Sequence, residues 1–320
     1  MPLTRHADDV SPGVDNQLRK HYYLDHYVIT VPRRGLRPDS FGQPNSPHKV
    51  PNATCSFCHN HETVVYRRPA QGALQVKVVN NKYPALTLDN PEAFGVHEVI
   101  IETPSHNLEF SELSRSEQLN VFAAYRHRLN ALIAIEGVRY VHVWKNDGPL
   151  AGASIAHAHS QVLALSFVPP QVETENAALD RYRSTHGTCA LCDIVIWEER
   201  QNVRIIYSDK HLVALAPYAA SAPFGVWIIP RRHEGQFGSL TASELESLAA
   251  AVGKVSARLD AASMSFNWFL LNSLPHEDHH FVMKIEPRGT PWAGAEMGTG
   301  VVINPVPPEY AALWYKRKTP

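Results

Sequence analysis

Two long stretches of this chain carry apolar residues at three- and four-residue spacing: FSELSRSEQLNVFAAYRHRLNALIAI over 110–135 and LTASELESLAAAVGKVSARLDAA over 240–262. That spacing predicts a helix lying on a sheet. Each stretch has Ser or Thr followed by Glu near its start. Thr241-Ala-Ser-Glu244 fits a capping box, in which side chains and backbone satisfy each other's open hydrogen-bonding groups. Around the helices, the segments HEVIIETPSHN, YVHVWK, FGVWIIPRRHEG and WFLLN are β-branched or aromatic and bounded by polar turns, so they read as strands. The mixture predicts an α+β fold.

The landmarks come twice in one order. First come Cys55-Ser-Phe-Cys58, a strand ending at His106, the first helical stretch and HAHSQ. Then come Cys189-Ala-Leu-Cys192, a strand ending at His233, the second helical stretch and HEDHHFVMKIEPR. His106 and His157 are 51 positions apart (157 − 106), and His233 and His280 are 47 apart (280 − 233). The repetition predicts an internal duplication into two tandem halves, each an antiparallel sheet with packed helices, over residues 1–172 and 185–320. Pro169-Pro170 and the polar stretch from Gln171 to Thr188 read as the connection between them.

The chain's 4 cysteines are used up by the two CxxC pairs. In a cytoplasmic chain that spacing favours metal over disulfides, and a CxxC turn presents two thiolates along one edge of a zinc tetrahedron. Matching places in the repeat supply the other ligands: His106 and His157 with Cys55 and Cys58, and His233 and His280 with Cys189 and Cys192. One zinc per half is expected. His59 and His61 rival the first histidines, and His276 and His279 rival His280.

With 320 residues, 44% of them hydrophobic, the chain can bury a sizeable core. Its 30 Lys+Arg against 31 Asp+Glu leave a net charge of −1, without the basic footprint of a nucleic-acid binder. An anionic substrate must then be met by a local cluster. No apolar run is long enough to span a membrane, and MPLTRHADDVSPG lacks an apolar signal core, so a soluble cytoplasmic protein is expected.

The chemistry concentrates in NDGPLAGASIAHAHSQ, residues 146–161. His157, His159 and Gln161 alternate behind a loop rich in Gly and Ser, and alternate positions of a strand share a face. A neutral imidazole attacks phosphorus well. With an ordinary pKa of about 6.5, His159 needs no deep shift to do so near neutrality.

These residues resemble the galactose-1-phosphate uridylyltransferase family, a branch of the histidine-triad superfamily, over nearly the whole chain. VITVPRRGLRPDSF resembles the family's segment that lays arginines on nucleotide phosphates, and VVNNKYPAL its base-contacting segment. GVHEVIIETPSH resembles the strand leading to a zinc histidine, AGASIAHAHSQ the active-site run, and AGAEMGTGVVINPVPPEYAA the C-terminal segment that reaches the sugar. The resemblance implies two histidine-triad-like halves, commonly in a homodimer. His159 becomes the nucleophile and Gln161 its neighbour on the nucleotidyl phosphate. Asn146 and Ser154 become phosphate contacts, and Arg34 and Arg37 bidentate phosphate clamps, with Arg33 competing for the place of Arg34. Asn81 and Tyr83 would meet a uracil or adenine edge alike, and Glu296 and Asn304, with help from Thr299, the sugar. In HFVMKIEPR, Val282 and Lys284 occupy the places of His159 and Gln161, so the second half keeps the fold and the metal and loses the nucleophile. The match also favours His280 over His279 as ligand.

The implied activity is ping-pong transfer of UMP between hexose 1-phosphates through a nucleotidyl-His159. Its partners are a nucleotide sugar and a sugar 1-phosphate. The rival is a phosphorylase of the ADP-glucose type, which hands the same nucleotidyl group to inorganic phosphate. A zinc-stabilised binding module without catalysis is a third reading.

Overall fold

The protein is described by a computed structural model covering residues 15–36, 55–59, 64–69, 76–274, 277–289 and 292–317. After strands β1 (Gln17–Lys20) and β2 (Tyr27–Thr30), the first half contributes β3 (Val64–Arg68), β4 (Val76–Asn80), β5 (Gly95–Ile101), helix α1 (Arg115–Ile133), β6 (Tyr140–Asp147) and β7 (His159–Leu165). Helices α2 (Pro170–His186) and α3 (Ala190–Gln201) follow. The second half contributes β8 (Ile205–Ser208), β9 (Leu212–Leu215), β10 (Val226–Pro230), α4 (Ala242–Ala261), β11 (Ser265–Leu271) and β12 (Val282–Arg288). The chain closes with α5 (Gly294–Thr299), β13 (Val302–Asn304) and α6 (Pro308–Lys316).

The two sheets expected from the sequence are joined edge to edge in one sheet of 10 antiparallel strands, ordered β3-β4-β5-β7-β6-β11-β12-β10-β9-β8. From its outer edge to the seam, each half runs its strands in the same order, with the fifth inserted before the fourth. The strand order thus repeats as the sequence landmarks do. The seam pairs β6 with β11, placing Asn146 opposite Asn267 and Lys145 opposite Trp268.

Helices α1 and α4 form where predicted, each opened by a complete capping box, Ser114 with Glu117 and Thr241 with Glu244. They cover one face of the sheet. Phe122, Tyr125 and Leu129 from α1 and Leu248, Val252 and Val255 from α4 pack on Ile100, Val143, Val162 and Trp268 in one continuous core. Each such buried side chain contributes about 1.5–3 kcal/mol by its removal from water, so the helices are held by packing more than by propensity.

The expected connection over Gln171–Thr188 is instead the helix α2. Pro170 is its first residue, where the missing N–H costs nothing, and Gly187 ends it at φ 71°. Its inward face buries Glu175 and Asn176 beside Val172, Ala178 and Leu179.

The expected boundary of the first half also changes. Strand β2 pairs in parallel with β13, and Val28 and Val302 pack with Ala219, so the N-terminal strands sit on the second half and not on the half that follows them in sequence.

Candidate active site and metal clusters

Both expected ligand sets are assembled. Cys55, Cys58, His106 and His157 form one cluster and Cys189, Cys192, His233 and His280 the other, with all ligand atoms of each within 4.8 Å of one another. The thiols face the Nδ1 atoms of the rings: Cys58 Sγ lies 3.3 Å from His106 and 3.4 Å from His157, and Cys192 Sγ lies 3.4 Å from both His233 and His280. Zinc bonds of about 2.3 Å to sulfur and 2.0 Å to nitrogen at a tetrahedral angle require about 3.5 Å between S and N. The donor sets therefore fit that ion.

Outer partners fix the ring orientation. His157 Nε2–H donates to the Thr103 carbonyl at 2.7 Å and His233 Nε2–H to Asp278 at 2.8 Å, which leaves Nδ1 free to ligate in each ring. Among the rivals, His279 is engaged at both nitrogens by Asn176 and Asp180, and His59 is exposed. His61 and His276 lie outside the described residues.

His157 lies just before β7 and belongs to the metal cluster, and the Phe57 ring lies 6.0 Å from it. His159 is buried, with the Phe57 ring of the first CxxC turn 5.0 Å away. Its Nδ1 meets the His157 carbonyl at 2.8 Å. A carbonyl only accepts, so Nδ1 carries the proton and Nε2 the free lone pair. Burial, then the charge of Lys145, pushes the His159 pKa down to about 4. The ring is thus more fully neutral at pH 7 than its ordinary pKa implies.

The loop before β7 turns on Gly148 at φ 80° and Gly152 at φ 86°, conformations that L side chains rarely adopt. Across the seam, Asn267 Nδ2 donates to Asn146 Oδ1 at 2.8 Å and to the Ala151 carbonyl at 2.9 Å, clamping the loop from the second half. Behind β7, buried Lys145 pairs with Glu102 at 2.9 Å and reaches the His159 carbonyl at 3.4 Å. Ser160 bonds both Glu102 and Tyr125. A cavity of about 700 Å³ lies along this loop, lined by Asn146, Ser154 and His159 but also by Glu109, Asp147 and Asp260. Burial, with repulsion from Asp147, pushes Glu109 up to about 7 and Asp260 up to about 8.

The other nominated residues divide. Asn81 accepts from Tyr83 N–H at 2.9 Å and lies 3.1 Å from His97, which meets Gln161, while Tyr83 is exposed. Ser154 is exposed on the loop. Arg34 lies in a single 3-10 turn after β2, while Arg37 falls outside the described residues. Glu296 caps α5 by accepting from Ala293 N–H. Asn304 is 1% exposed, and its amide meets the Ala220 carbonyl at 2.8 Å and Val306 N–H at 2.8 Å. Strand β2, which precedes Arg34, and β13, which carries Asn304, pair with each other and pack on Ala219 of the second half. Asn267, Lys145 and His97 escaped the sequence reading, having no motif around them; only the duplicated strand order points to Asn267, by placing its strand at the seam.

In the second half, Val282 is buried against Leu191, Ile194 and Trp227. Lys284 is paired with Glu175 of α2 at 2.7 Å and lies 4.8 Å over the Trp227 ring, while Tyr23 donates to Glu175 at 2.6 Å. Only about 20 Å³ of space is left there.

Comparison with known proteins places the chain among nucleotidyl-transferring enzymes. A family profile described as galactose-1-phosphate uridyl transferase, N-terminal domain, matches residues 49–169. An ADP-glucose phosphorylase from Arabidopsis thaliana is 32% identical over 98% of this chain and 97% of its own length. A galactose-1-phosphate uridylyltransferase from Thermotoga maritima is 27% identical over 72% of this chain and 81% of its own. The crystal structure of an ADP-glucose phosphorylase from Arabidopsis thaliana with bound ADP-glucose superposes with a TM-score of 0.82 at 29% identity, covering 95% of this chain and 99% of that one.

Proposed function

This chain belongs to the galactose-1-phosphate uridylyltransferase family and is a nucleotidyltransferase, and from that premise we propose that it phosphorolyses a nucleotide sugar of the ADP-glucose type through a nucleotidyl-His159 intermediate. The observation that carries the covalent step is the His159 ring itself, neutral, with Nδ1–H on the His157 carbonyl and Nε2 unprotonated. Nε2 attacks the α-phosphorus, a P–N bond forms, and the bridging P–O bond breaks to release glucose 1-phosphate. The ring gains positive charge as it does so, and the His157 carbonyl stabilises it. An oxygen of inorganic phosphate then attacks the same phosphorus, breaks the P–N bond and leaves as ADP. Gln161, Asn146 and Ser154 donate to the nonbridging oxygens. The full-length likeness to an ADP-glucose phosphorylase supports phosphate as acceptor over a hexose 1-phosphate.

Zinc in the first cluster would hold His157 and with it the carbonyl that fixes the nucleophile's tautomer; in the second cluster it would tie α3 to β10 and β12. The packing of strands β2 and β13 on the second half supports a homodimer in which Arg34 and Glu296 reach the site of a second copy.

Intact-protein mass after mixing with ADP-glucose or UDP-glucose, with His159→Ala as control, tests the reading. The expected result is an AMP adduct, absent in the control, that phosphate discharges as ADP. A UMP adduct discharged by galactose 1-phosphate and not by phosphate would establish the uridylyl transfer instead. No adduct with either nucleotide sugar would leave the zinc-held binding module.

A further inference from the structure

His97 on β5 touches both Gln161 and the Asn81–Ala85 segment, and its hydrogen bonds fix its tautomer without ambiguity. The Ala85 backbone N–H, which can only donate, meets His97 Nδ1 at 3.1 Å. Nδ1 therefore offers its lone pair, and in a neutral ring the proton must be on Nε2. Burial holds the His97 pKa below its ordinary value, so the ring is neutral near pH 7. Two groups face Nε2: Gln161 Oε1 at 2.9 Å and Asn81 Nδ2 at 3.1 Å. The amide nitrogen of Asn81 cannot accept a proton, and its oxygen is taken by Tyr83 N–H at 2.9 Å. The acceptor is thus Gln161 Oε1. Trp144 closes the other side of the ring, with centroids 5.9 Å apart.

The consequence falls on Gln161. Its carbonyl is turned inward onto His97, and its amide N–H groups have no partner among the described residues. A glutamine amide rotated the other way would set an oxygen against an anionic phosphate, whereas this orientation presents two donors.

We propose that His97 is a positioning residue that sets which end of the Gln161 amide faces the nucleotidyl phosphate, and that it ties this orientation to the Asn81–Ala85 segment beside the nucleoside. The inference rests on the proposed reading that Gln161 meets the nucleotidyl phosphate. It predicts a change in the rate of nucleotidyl transfer with little change in nucleotide-sugar affinity.

The test is single-turnover formation of the nucleotidyl adduct, followed by mass, in a cycle of His97→Phe, Gln161→Ala and the double variant. H97F keeps the ring volume and removes the donor; it should slow adduct formation about tenfold, the weight of one neutral hydrogen bond, with Kd for the nucleotide sugar within about twofold. In the Q161A background the same change should have an effect under about twofold. H97Q, long enough to return an N–H to the place of Nε2, should recover most of the rate, whereas the shorter H97N should not. The H97Q and H97N pair carries the test if H97F does not fold. Additive effects in the cycle, or equal rates for H97Q and H97N, would overturn the proposal while the adduct still forms in the unaltered enzyme. Absence of that adduct in the unaltered enzyme would overturn the underlying function and the positioning role together.

Discussion

The same face of the sheet has two fates in the two halves. On β7, His159 and Gln161 stand beside a glycine-turned loop, and a cavity of about 700 Å³ along that loop reaches His159 and continues under the end of α4. On β12, the matching positions hold Val282 and Lys284, and α2, α3 and the Tyr22–Tyr23 segment are packed onto them, leaving about 20 Å³. The charge balance differs in kind as well. Lys284 is neutralised by Glu175 and roofed by Trp227, while His21 beside it is held neutral, its pKa pushed down to about 3 by burial and then by the lysine's charge. The ligand cluster and the residues on the neighbouring strand therefore vary separately: both halves assemble a Cys2His2 cluster, yet His159 of the first half is matched by Val282 in the second.

The sharpest way to break the contrast is at the nucleophile. His159→Ala should lower turnover by at least about 10³-fold, as removal of a covalent nucleophile does. Val282→His should create no adduct in the second half even in that background, measured by intact mass, because the face is filled. Next in size are the clusters. Cys58→Ser should release metal, lower Tm and cut turnover at equal protein folded, since His157 carries the carbonyl that orients His159. Cys192→Ser should release metal and lower Tm with a much smaller loss of turnover. Metal analysis with kcat on the two variants checks this, and equal kcat losses would count against separability.

A third comparison uses the filled face itself. Glu175→Gln leaves Lys284 buried without its countercharge and should cost about 3 kcal/mol of stability by denaturant titration, with kcat unchanged. The smallest effect concerns the acids along the catalytic loop. Asp260 is held protonated in the fold, with its pKa pushed up to about 8 chiefly by burial, so the folded state binds a proton that the unfolded chain releases near pH 4. Stability is greatest below that range and falls as pH rises towards 8. Asp260→Asn should accordingly raise Tm by a few degrees at pH 9, on the order of 1–3 kcal/mol, with the gain shrinking steadily towards pH 4. A gain independent of pH would show that charge is not the cause.

Much of this was legible in the chain. The two Cys2His2 clusters, the two long helices with their capping boxes, and the place of His159 on a strand follow from spacing, because CxxC turns, helical periodicity and strand alternation are local rules. Helix α2 was not, for a physical reason. Its inward face is made of Glu175 and Asn176 as well as apolar residues, and these are satisfied by Lys284, Tyr23, Glu277 and His279 from distant segments, so hydrophobic periodicity alone shows a polar linker. The surroundings of Asn304 were hidden as well. A polar residue in a motif-like stretch suggested a ligand contact, while its amide serves buried carbonyls that no sequence window reveals. The partners of His159 and Gln161 were hidden likewise, since Lys145, His97 and Asn267 become neighbours only through pairing in the sheet.

The clamp from Asn267 onto Asn146 and Ala151 crosses the seam between β6 and β11. An active centre braced in this way has no freestanding minimal version: the polypeptide ending after β7 would contain every reacting atom and still lack the brace that shapes the loop. The half without a counterpart of His159 is thus answerable to selection on the loop's shape at one strand, and free to drift on the rest of its surface only so far as that strand keeps its register.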